Sequence, residues 1–276
     1  MTIVTGYAPI NGARVYYEAA GSGDTLVFIH AGVADRRLWD DPFQTFAEKY
    51  RVIRYDLRGY GKSEPVDGEY SHTDDLLGLL HYLNVEKAIL IGCSMGGGAA
   101  MNVALSEPSR VSALVMVCSG PQGLDLDVPA LKEFEEAETA WKAKDWDQLA
   151  EIETHIWFDG VSRSPNQPDA AIRAKAYDMC RVGLSHYAKE LGKEKAGMKP
   201  SAAERLSELA LPVLLIVGTL DTPYIIAANE HMDKHIRNVR KVMIENTAHL
   251  PSLERPQEFN AALSVFLASL QPVQGS

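Results

Sequence analysis

No stretch constrains this chain more than Ala88–Ala99, which reads AILIGCSMGGGA. The apolar run Ala88, Ile89, Leu90, Ile91 is long enough for a buried strand and stops at Gly92. Ser94 follows in the spacing G-x-S-x-G, between Gly92 and Gly96, and Gly97, Gly98, Ala99 and Ala100 lead into a helix-compatible run through Leu105. This is a strand, a sharp turn and a helix, with a serine at the tip. A serine so placed takes a sparsely populated backbone conformation, and the turn brings backbone segments so close that side chains at positions 92 and 96 would collide. The turn also puts Ser94 at a helix N-terminus, where unpaired N–H groups and the positive end of the helix dipole can stabilise a developing oxyanion. Ser94 is therefore a candidate nucleophile. A glycine-rich turn with an incidental serine is the plainer reading, and the rest of the chain has to decide between them.

The flanking sequence repeats the same kind of alternation. Arg14–Ala19 and Thr25–His30 read as strands joined through Gly21-Ser22-Gly23-Asp24 as a hairpin, the first preceded by an Asn11-Gly12 turn. Helical spacing over Leu38–Tyr50 is followed by a short strand at Arg51–Tyr55 and by the glycine-punctuated loop Asp56–Ser63. His72–Leu83 is helical, and Val111–Cys118 is another buried strand. From Val128 to about Arg205 no strand is expected; the helical windows are Pro129–Lys144, Trp146–Trp157 and Asp169–Leu191, with a loop over Gly160–Pro168. Alternation resumes with a strand at Pro212–Gly218, a helix at Ile225–His235, a strand at Val239–Ile244 and a closing helix at Gln257–Leu270, leaving Gln271–Ser276 as a tail. Nearly all-apolar strands alternating with helices predict an α/β fold, a mostly parallel central sheet covered on both faces by helices. The expected organisation is a core in two parts, residues 1–120 and 206–276, interrupted by a helical insertion at 121–205.

A serine hydroxyl is a weak nucleophile unless a positioned base takes its proton and a third group orients that base. In an open parallel sheet such groups belong beyond the carboxyl ends of strands. Past PVLLIVG comes Thr219-Leu220-Asp221, and past KVMIEN comes Thr247-Ala248-His249. Ser94, Asp221 and His249 are accordingly the candidate nucleophile, acid and base, with Asp125 as the alternative acid because it too follows a strand end. An oxyanion hole needs two backbone N–H groups; Met95 supplies one, and the loop after the His30 strand the other, Gly32 before Val33. His30 is placed to shape that loop and to border the substrate. His231 and His235 share a polar helix face, and no histidine pair has metal-ligand spacing.

Taken together, the ordered pieces NGARVYYEAAGSG, FIHAG with Trp39 downstream, DLRGYGKS, GCSMGG, GTLD and TAHLPSLERPQEF make the chain resemble the α/β-hydrolase superfamily along nearly its whole length. It departs in two places: His30-Ala31 and Ala248-His249 stand where a glycine is usual beside the histidine. The resemblance is to the cap-bearing group of serine esterases, enol-lactonases, C–C bond hydrolases and cofactor-free perhydrolases, since a serine at the elbow speaks against the branches with a carboxylate nucleophile. It implies that the insertion caps the site, with Phe134, Trp141, Trp157, Phe158 and Tyr177 as aromatic lining or packing, and Trp157 and Phe158 as substrate contacts. The activity it implies is hydrolysis of a small-to-medium carboxylic ester or lactone without cofactor or metal. One alternative is an enol-lactone or C–C hydrolase whose carboxylate substrate would need Arg36, Arg37 or Arg181; another is a low-turnover receptor with a hydrolase fold.

Composition narrows the partners. A net charge of −10 with no basic run speaks against nucleic acid and anionic membranes. MTIVTGYAPINGARVYY lacks the pattern of a secretion signal, no apolar stretch is of spanning length, and Cys93, Cys118 and Cys180 form no C-x-x-C or metal pattern. A cytoplasmic protein with free, buried cysteines is expected.

Overall fold

The computed structural model describes residues 2–163 and 169–270. Its first strands are β1 (Ile3–Ile10), β2 (Ala13–Ala20) and β3 (Thr25–Ile29), followed by α1 (Asp40–Phe46), β4 (Arg51–Tyr55), the two-residue β5 (Glu69–Tyr70) and α2 (His72–Tyr82). The central unit is β6 (Ala88–Cys93), α3 (Met95–Ser106) and β7 (Val111–Val117). Then come α4 (Lys132–Lys142), α5 (Trp146–Thr154), α6 (Ala170–Tyr187) and β8 (Lys193–Glu194). The chain closes with β9 (Val213–Gly218), α7 (Pro223–His235), β10 (Val239–Ile244), α8 (Pro251–Glu254) and α9 (Pro256–Leu270).

The main sheet runs β1-β2-β4-β3-β6-β7-β9-β10, parallel from β4 to β10, with β1 and β2 antiparallel at one edge. Alternation along each strand serves two faces. Phe28, Ile91, Val115 and Ile216 point into one apolar layer with Trp39, Phe43 and Phe259; Val27, Leu90, Leu114 and Leu215 point into the other with Leu76, Leu79 and Met101. Burial on both faces is why these strands read as unbroken apolar runs. Helix starts follow their caps: Ser71 accepts from the Asp74 N–H at 3.2 Å, Asp145 from the Gln148 N–H at 3.1 Å, and Asp169 from the Ala171 N–H at 2.9 Å.

Three expectations need correction. The hairpin is β1–β2, closed by Asn11 and Gly12 at φ of 47° and 79°, whereas β3 lies inside the sheet between β4 and β6. The left-handed pair at Asn-Gly fits the twist of a two-residue hairpin turn. β1 is hidden in the sequence because it is an edge strand that buries only Ala8 and Ile10, so it lacks a clear apolar alternation. The helix expected over Leu38–Tyr50 is a 3₁₀ turn at Arg36–Trp39 running into the short α1. Within the insertion, β8 pairs with β5 in a two-stranded ribbon where no strand is expected.

The inserted helices α4–α6 pack on one another through Ala137, Ala140 and Leu149, with Trp146, Ile152 and Leu184 around them. α5 continues into a π-helical turn at His155–Gly160, which delivers Phe158 into the main core. Of the loop expected over Gly160–Pro168 the part after residue 163 lies outside the described residues, as does the tail at 271–276. No helix among the described residues is long and apolar enough to cross a membrane.

Candidate active site

Ser94 caps α3 with φ 50° and ψ −117°, a combination that L-residues rarely adopt. The surrounding contacts hold it there. Its N–H donates to the Val117 carbonyl at 2.9 Å, and its carbonyl accepts from the Gly98 N–H at 3.0 Å and the Ser119 hydroxyl at 2.7 Å. A side chain at Gly92 would strike the Gly96 carbonyl; one at Gly96 would lie 2.5 Å from the Ile29 and His30 carbonyls; one at Gly97 would lie 2.5 Å from the Ser119 hydroxyl. The turn thus presses α3 against the ends of both β3 and β7. Met95 opens α3, so its N–H belongs to the first turn and has no partner in the helix ladder.

His249 and Asp221 are brought together in the core. Both are buried, and His249 Nδ1 lies 3.0 Å from Asp221 Oδ1 and 2.9 Å from Oδ2. That contact assigns the Nδ1 proton to the Asp221 side and leaves Nε2 as the basic nitrogen. The Thr222 N–H donates to Asp221 Oδ1 at 2.6 Å and fixes the carboxylate. Asp125, the alternative acid, is exposed, and no hydrogen bond or ion pair joins it to His249, whose Nδ1 is taken by Asp221. The His249 loop crosses the end of β9 so tightly that any side chain at Gly218 would meet the Thr247 and Ala248 carbonyls. The Cys93 thiol donates to the His249 carbonyl at 3.6 Å, so the residue beside Ser94 touches the residue that carries the imidazole.

Cys118, Asp221 and His249 also place a thiol, a carboxylate and an imidazole nitrogen within 4.8 Å of one another. Their chemistry does not suit a cation. Burial, helped by the Asp221 charge, pushes the Cys118 thiol well above its usual range, so it is protonated and a poor ligand. It donates to the Ala248 carbonyl at 3.7 Å, while Asp221 and His249 Nδ1 satisfy each other.

The predicted substrate contacts fare differently. His30 is fully buried with both ring nitrogens engaged: Nδ1 donates to the Ala31 carbonyl at 2.8 Å, and Nε2 accepts from the Leu57 N–H at 2.9 Å. Burial pushes its pKa down, and the ring holds the loop that carries Gly32 instead of facing a ligand. Gly32 is half-buried beside the Met95 side chain and the Tyr60 hydroxyl. Phe158 is buried in the core and borders a cavity with Arg163, Asn246 and Glu254, not the one at Ser94. Trp157 lies over His249, ring centroids 4.4 Å apart, and its carbonyl accepts the His249 N–H at 3.1 Å. Phe134 packs on Trp157 at 5.9 Å, and Trp141 packs on Trp146 and Tyr187 at 5.4 and 4.4 Å. Arg36, Arg37 and Arg181 are all tied up in ion pairs, with Glu18 and Asp56, with Asp35 and Asp178, and with Asp147. His231 and His235 stack at 4.0 Å on α7.

Several participants carry no signal in the sequence. Glu153 accepts the Trp157 indole N–H at 2.6 Å, and burial raises its pKa. Glu254 accepts the Ala248 N–H at 2.8 Å and pairs with Arg163 at 2.6 Å, holding the His249 loop. Ser119 holds the Ser94 carbonyl. Each is an ordinary polar residue of a helix or loop, and only chain folding brings it to the site.

Two cavities meet at Met95, and the smaller of them also opens at Ser94. One, of about 290 Å³, is bordered by Ser94, Met95, His72, Thr73, Asn102 and Glu194; the other, of about 420 Å³, shares Met95, His72 and Glu194 with it and extends to Tyr60, Tyr70 and Tyr187. Their walls come from α2, α3, the end of α6, the β5–β8 ribbon, the loops around Tyr60 and Gln122, and Tyr224 of α7; none of Phe134, Trp141, Trp157, Phe158 and Tyr177 borders either cavity.

Comparison with known proteins agrees with this architecture. The chain is 26% identical over 257 residues to 3-oxoadipate enol-lactonase 1 of Acinetobacter baylyi, covering 89% of each chain. It is 29% identical over 262 residues to the pimeloyl-[acyl-carrier protein] methyl ester esterase of Aliivibrio salmonicida, covering 92% of this chain and 95% of the other. An esterase structure from Exiguobacterium antarcticum superposes with a TM-score of 0.79 at 20% identity, over 96% of this chain and all (100%) of the other, a likeness of fold. Residues 26–262 match the family model described as the alpha/beta hydrolase family. By fold, by the course of its sheet and by this match over most of its length, the chain belongs to the alpha/beta hydrolase family.

Proposed function

We propose that this protein is a serine hydrolase that cleaves small-to-medium carboxylic esters, lactones included, through an acyl-enzyme on Ser94. The observation that carries the reading is the buried Asp221–His249 contact at 2.9–3.0 Å, on the sheet edge where Ser94 occupies its strained turn. Relatives named as an enol-lactonase and a methyl ester esterase support hydrolysis of an ester-type bond.

In this reading Ser94 Oγ attacks the acyl carbon and passes its proton to His249 Nε2. Asp221 holds the tautomer and stabilises the imidazolium. The Met95 N–H and that of Gly32, with Val33 as the neighbour, receive the oxyanion. His249 then protonates the departing alcohol, and a water deprotonated by His249 releases the acid. Trp157 across the imidazole restricts its orientation, and α4–α6 act as the cap. No cofactor takes part, and the partner is a small molecule rather than a nucleic acid or membrane. Hydrolysis of a ring-fission product is less well supported, because Arg36, Arg37 and Arg181 are already paired and border neither of the cavities that meet at Met95.

The test is nitrophenol release from short- and medium-chain nitrophenyl esters by wild type and Ser94→Ala. Multiple turnover in wild type and its loss in the variant is the expected result. A folded wild type without turnover refutes the esterase reading and favours the receptor alternative.

A further inference from the structure

The walls of the smaller cavity hold polar atoms that the protein itself leaves unsatisfied. His72, the first residue of α2, is 4% exposed, and its Nδ1 is buried without a hydrogen-bond partner among the described residues. Asn102 Oδ1 on α3 is in the same state, while its Nδ2 donates to Thr73 Oγ1 at 3.4 Å. Turning the Asn102 amide over exchanges the atoms but still leaves one end unpaired. Both side chains border the cavity that Ser94 and Met95 open into. Buried polar atoms are nearly always paired, and each exception costs free energy unless a ligand or water completes it.

The chemistry of the pair specifies its complement. Tyr60 and Tyr70 flank the His72 ring at 6.4 and 5.2 Å between centroids, which fixes its orientation. Burial, with the nearby His30 and Arg58, holds His72 down to about 3, so it is a neutral ring with one donor and one acceptor nitrogen. A primary amide likewise donates and accepts. Among the described residues no Lys or Arg borders this cavity, and the one carboxylate there, Glu194, disfavours a bound anion. Lys193 and Arg58 border only the larger chamber, and Arg58 is neutralised by Asp75 at 2.8 Å.

We propose that the cavity bordered by Ser94, His72 and Asn102 is a subsite for an uncharged group that both donates and accepts hydrogen bonds, an amide or hydroxyl carried by the ester substrate. The assignment rests on the esterase reading above and names its substrate class: esters of acylamino or hydroxylated acids or alcohols, in preference to plain alkyl esters or half-esters of diacids. Asn102 follows Ser94 by eight positions on α3, about 12 Å of helix rise, and helix side chains lean toward the N-terminus. The polar group therefore belongs several bonds from the scissile carbonyl.

The experiment measures kcat/KM, divided by the hydroxide rate constant to remove intrinsic reactivity, for the ethyl esters of 4-acetamidobutanoate, its alkyl isostere 6-methylheptanoate, and the monoanion of hexanedioate. On the alcohol side it compares 2-acetamidoethyl with 4-methylpentyl hexanoate. The readout is the amide-to-alkyl ratio within each protein, which does not depend on how much of a variant is folded. Wild type is expected to favour the amide at least tenfold on one side of the ester and to discriminate against the half-ester. His72→Phe and Asn102→Leu should each lower that ratio, and the double variant should bring it within about twofold of one. A wild-type ratio near one on both sides, with turnover that Ser94→Ala abolishes, overturns the subsite and leaves the esterase reading intact. An amide preference that both variants retain, or a preference for the half-ester, also overturns it. No turnover of any ester overturns both.

Discussion

The turn at Ser94 makes a thermodynamic prediction that separates its strain from its chemistry. With φ at 50° and ψ at −117°, Ser94 occupies backbone space that glycine reaches freely and any residue with a Cβ reaches at a cost of order 1–3 kcal/mol. Ser94→Gly removes that cost, keeps the backbone bonds to Val117, Gly98 and Ser119, and adds about 0.4–1 kcal/mol of chain entropy to the unfolded state. The net expectation is a gain of about 1 kcal/mol. Ser94→Ala deletes the same hydroxyl but keeps the Cβ, so it keeps the strain and serves as the control. An unfolding entropy of roughly 2.1 cal/mol/K per residue over 276 residues amounts to about 0.6 kcal/mol/K, which puts the glycine variant's melting temperature about 2 °C above that of the alanine variant. Scanning calorimetry and urea midpoints at constant slope measure it. Both variants should be inactive. A glycine variant no more stable than the alanine variant would falsify the claim that this turn stores strain for the sake of the nucleophile.

Three further outcomes follow from the geometry. Asp221→Asn should present an amide N–H to His249 Nδ1, force the other tautomer and lower kcat by about 10³–10⁴ with little change in KM, whereas loss below tenfold would mean that Asp221 does not orient the base. Gly218→Ala should drive a Cβ into the Thr247 and Ala248 carbonyls, costing about 1–3 kcal/mol in the urea midpoint and displacing His249 enough to lower kcat by about 10²; wild-type values in both assays would contradict the packing. His72, held at about 3 by burial when folded and near 6.5 when unfolded, takes up its proton more readily unfolded, so its contribution is fully present above pH 6.5 and is lost as the pH falls. Between pH 7 and 5 wild type should lose about 2 kcal/mol more stability than His72→Phe, and equal losses in urea titrations at the two pH values would show that the ring is not held neutral.

What was legible in the sequence is what local chemistry governs. Two-sided burial writes β3, β6, β7 and β9 as apolar runs, and so the parallel sheet could be read directly. Glycine at positions 92 and 96 could be inferred because close backbone approach tolerates nothing larger, and Gly97 and Gly218 are held by the same constraint. The meeting of Asp221 with His249 was legible from their places just beyond strand ends, since the carboxyl edge of a parallel sheet gathers such residues whatever the intervening chain does.

Everything that depends on one distant segment meeting another was decided by the tertiary structure. β1 buries two side chains and so carries too little pattern to be seen, which let β2 and β3 pass for a hairpin when the real partner lay upstream. His30 is a histidine beside a strand end like His249, but the Leu57 N–H consumes its second nitrogen and makes it a prop for a loop. Phe158 and Trp157 are neighbours in one turn, yet the π-helical geometry sends one into the core and lays the other on His249. His72 and Asn102 sit in ordinary helices, and they come to border one cavity with Ser94, each with a buried polar atom unpartnered, because α2 and α3 pack side by side. Sequence pattern records what each residue buries against its own element. Which polar atoms find partners, and which are left without them, is settled when elements far apart in the chain come into contact.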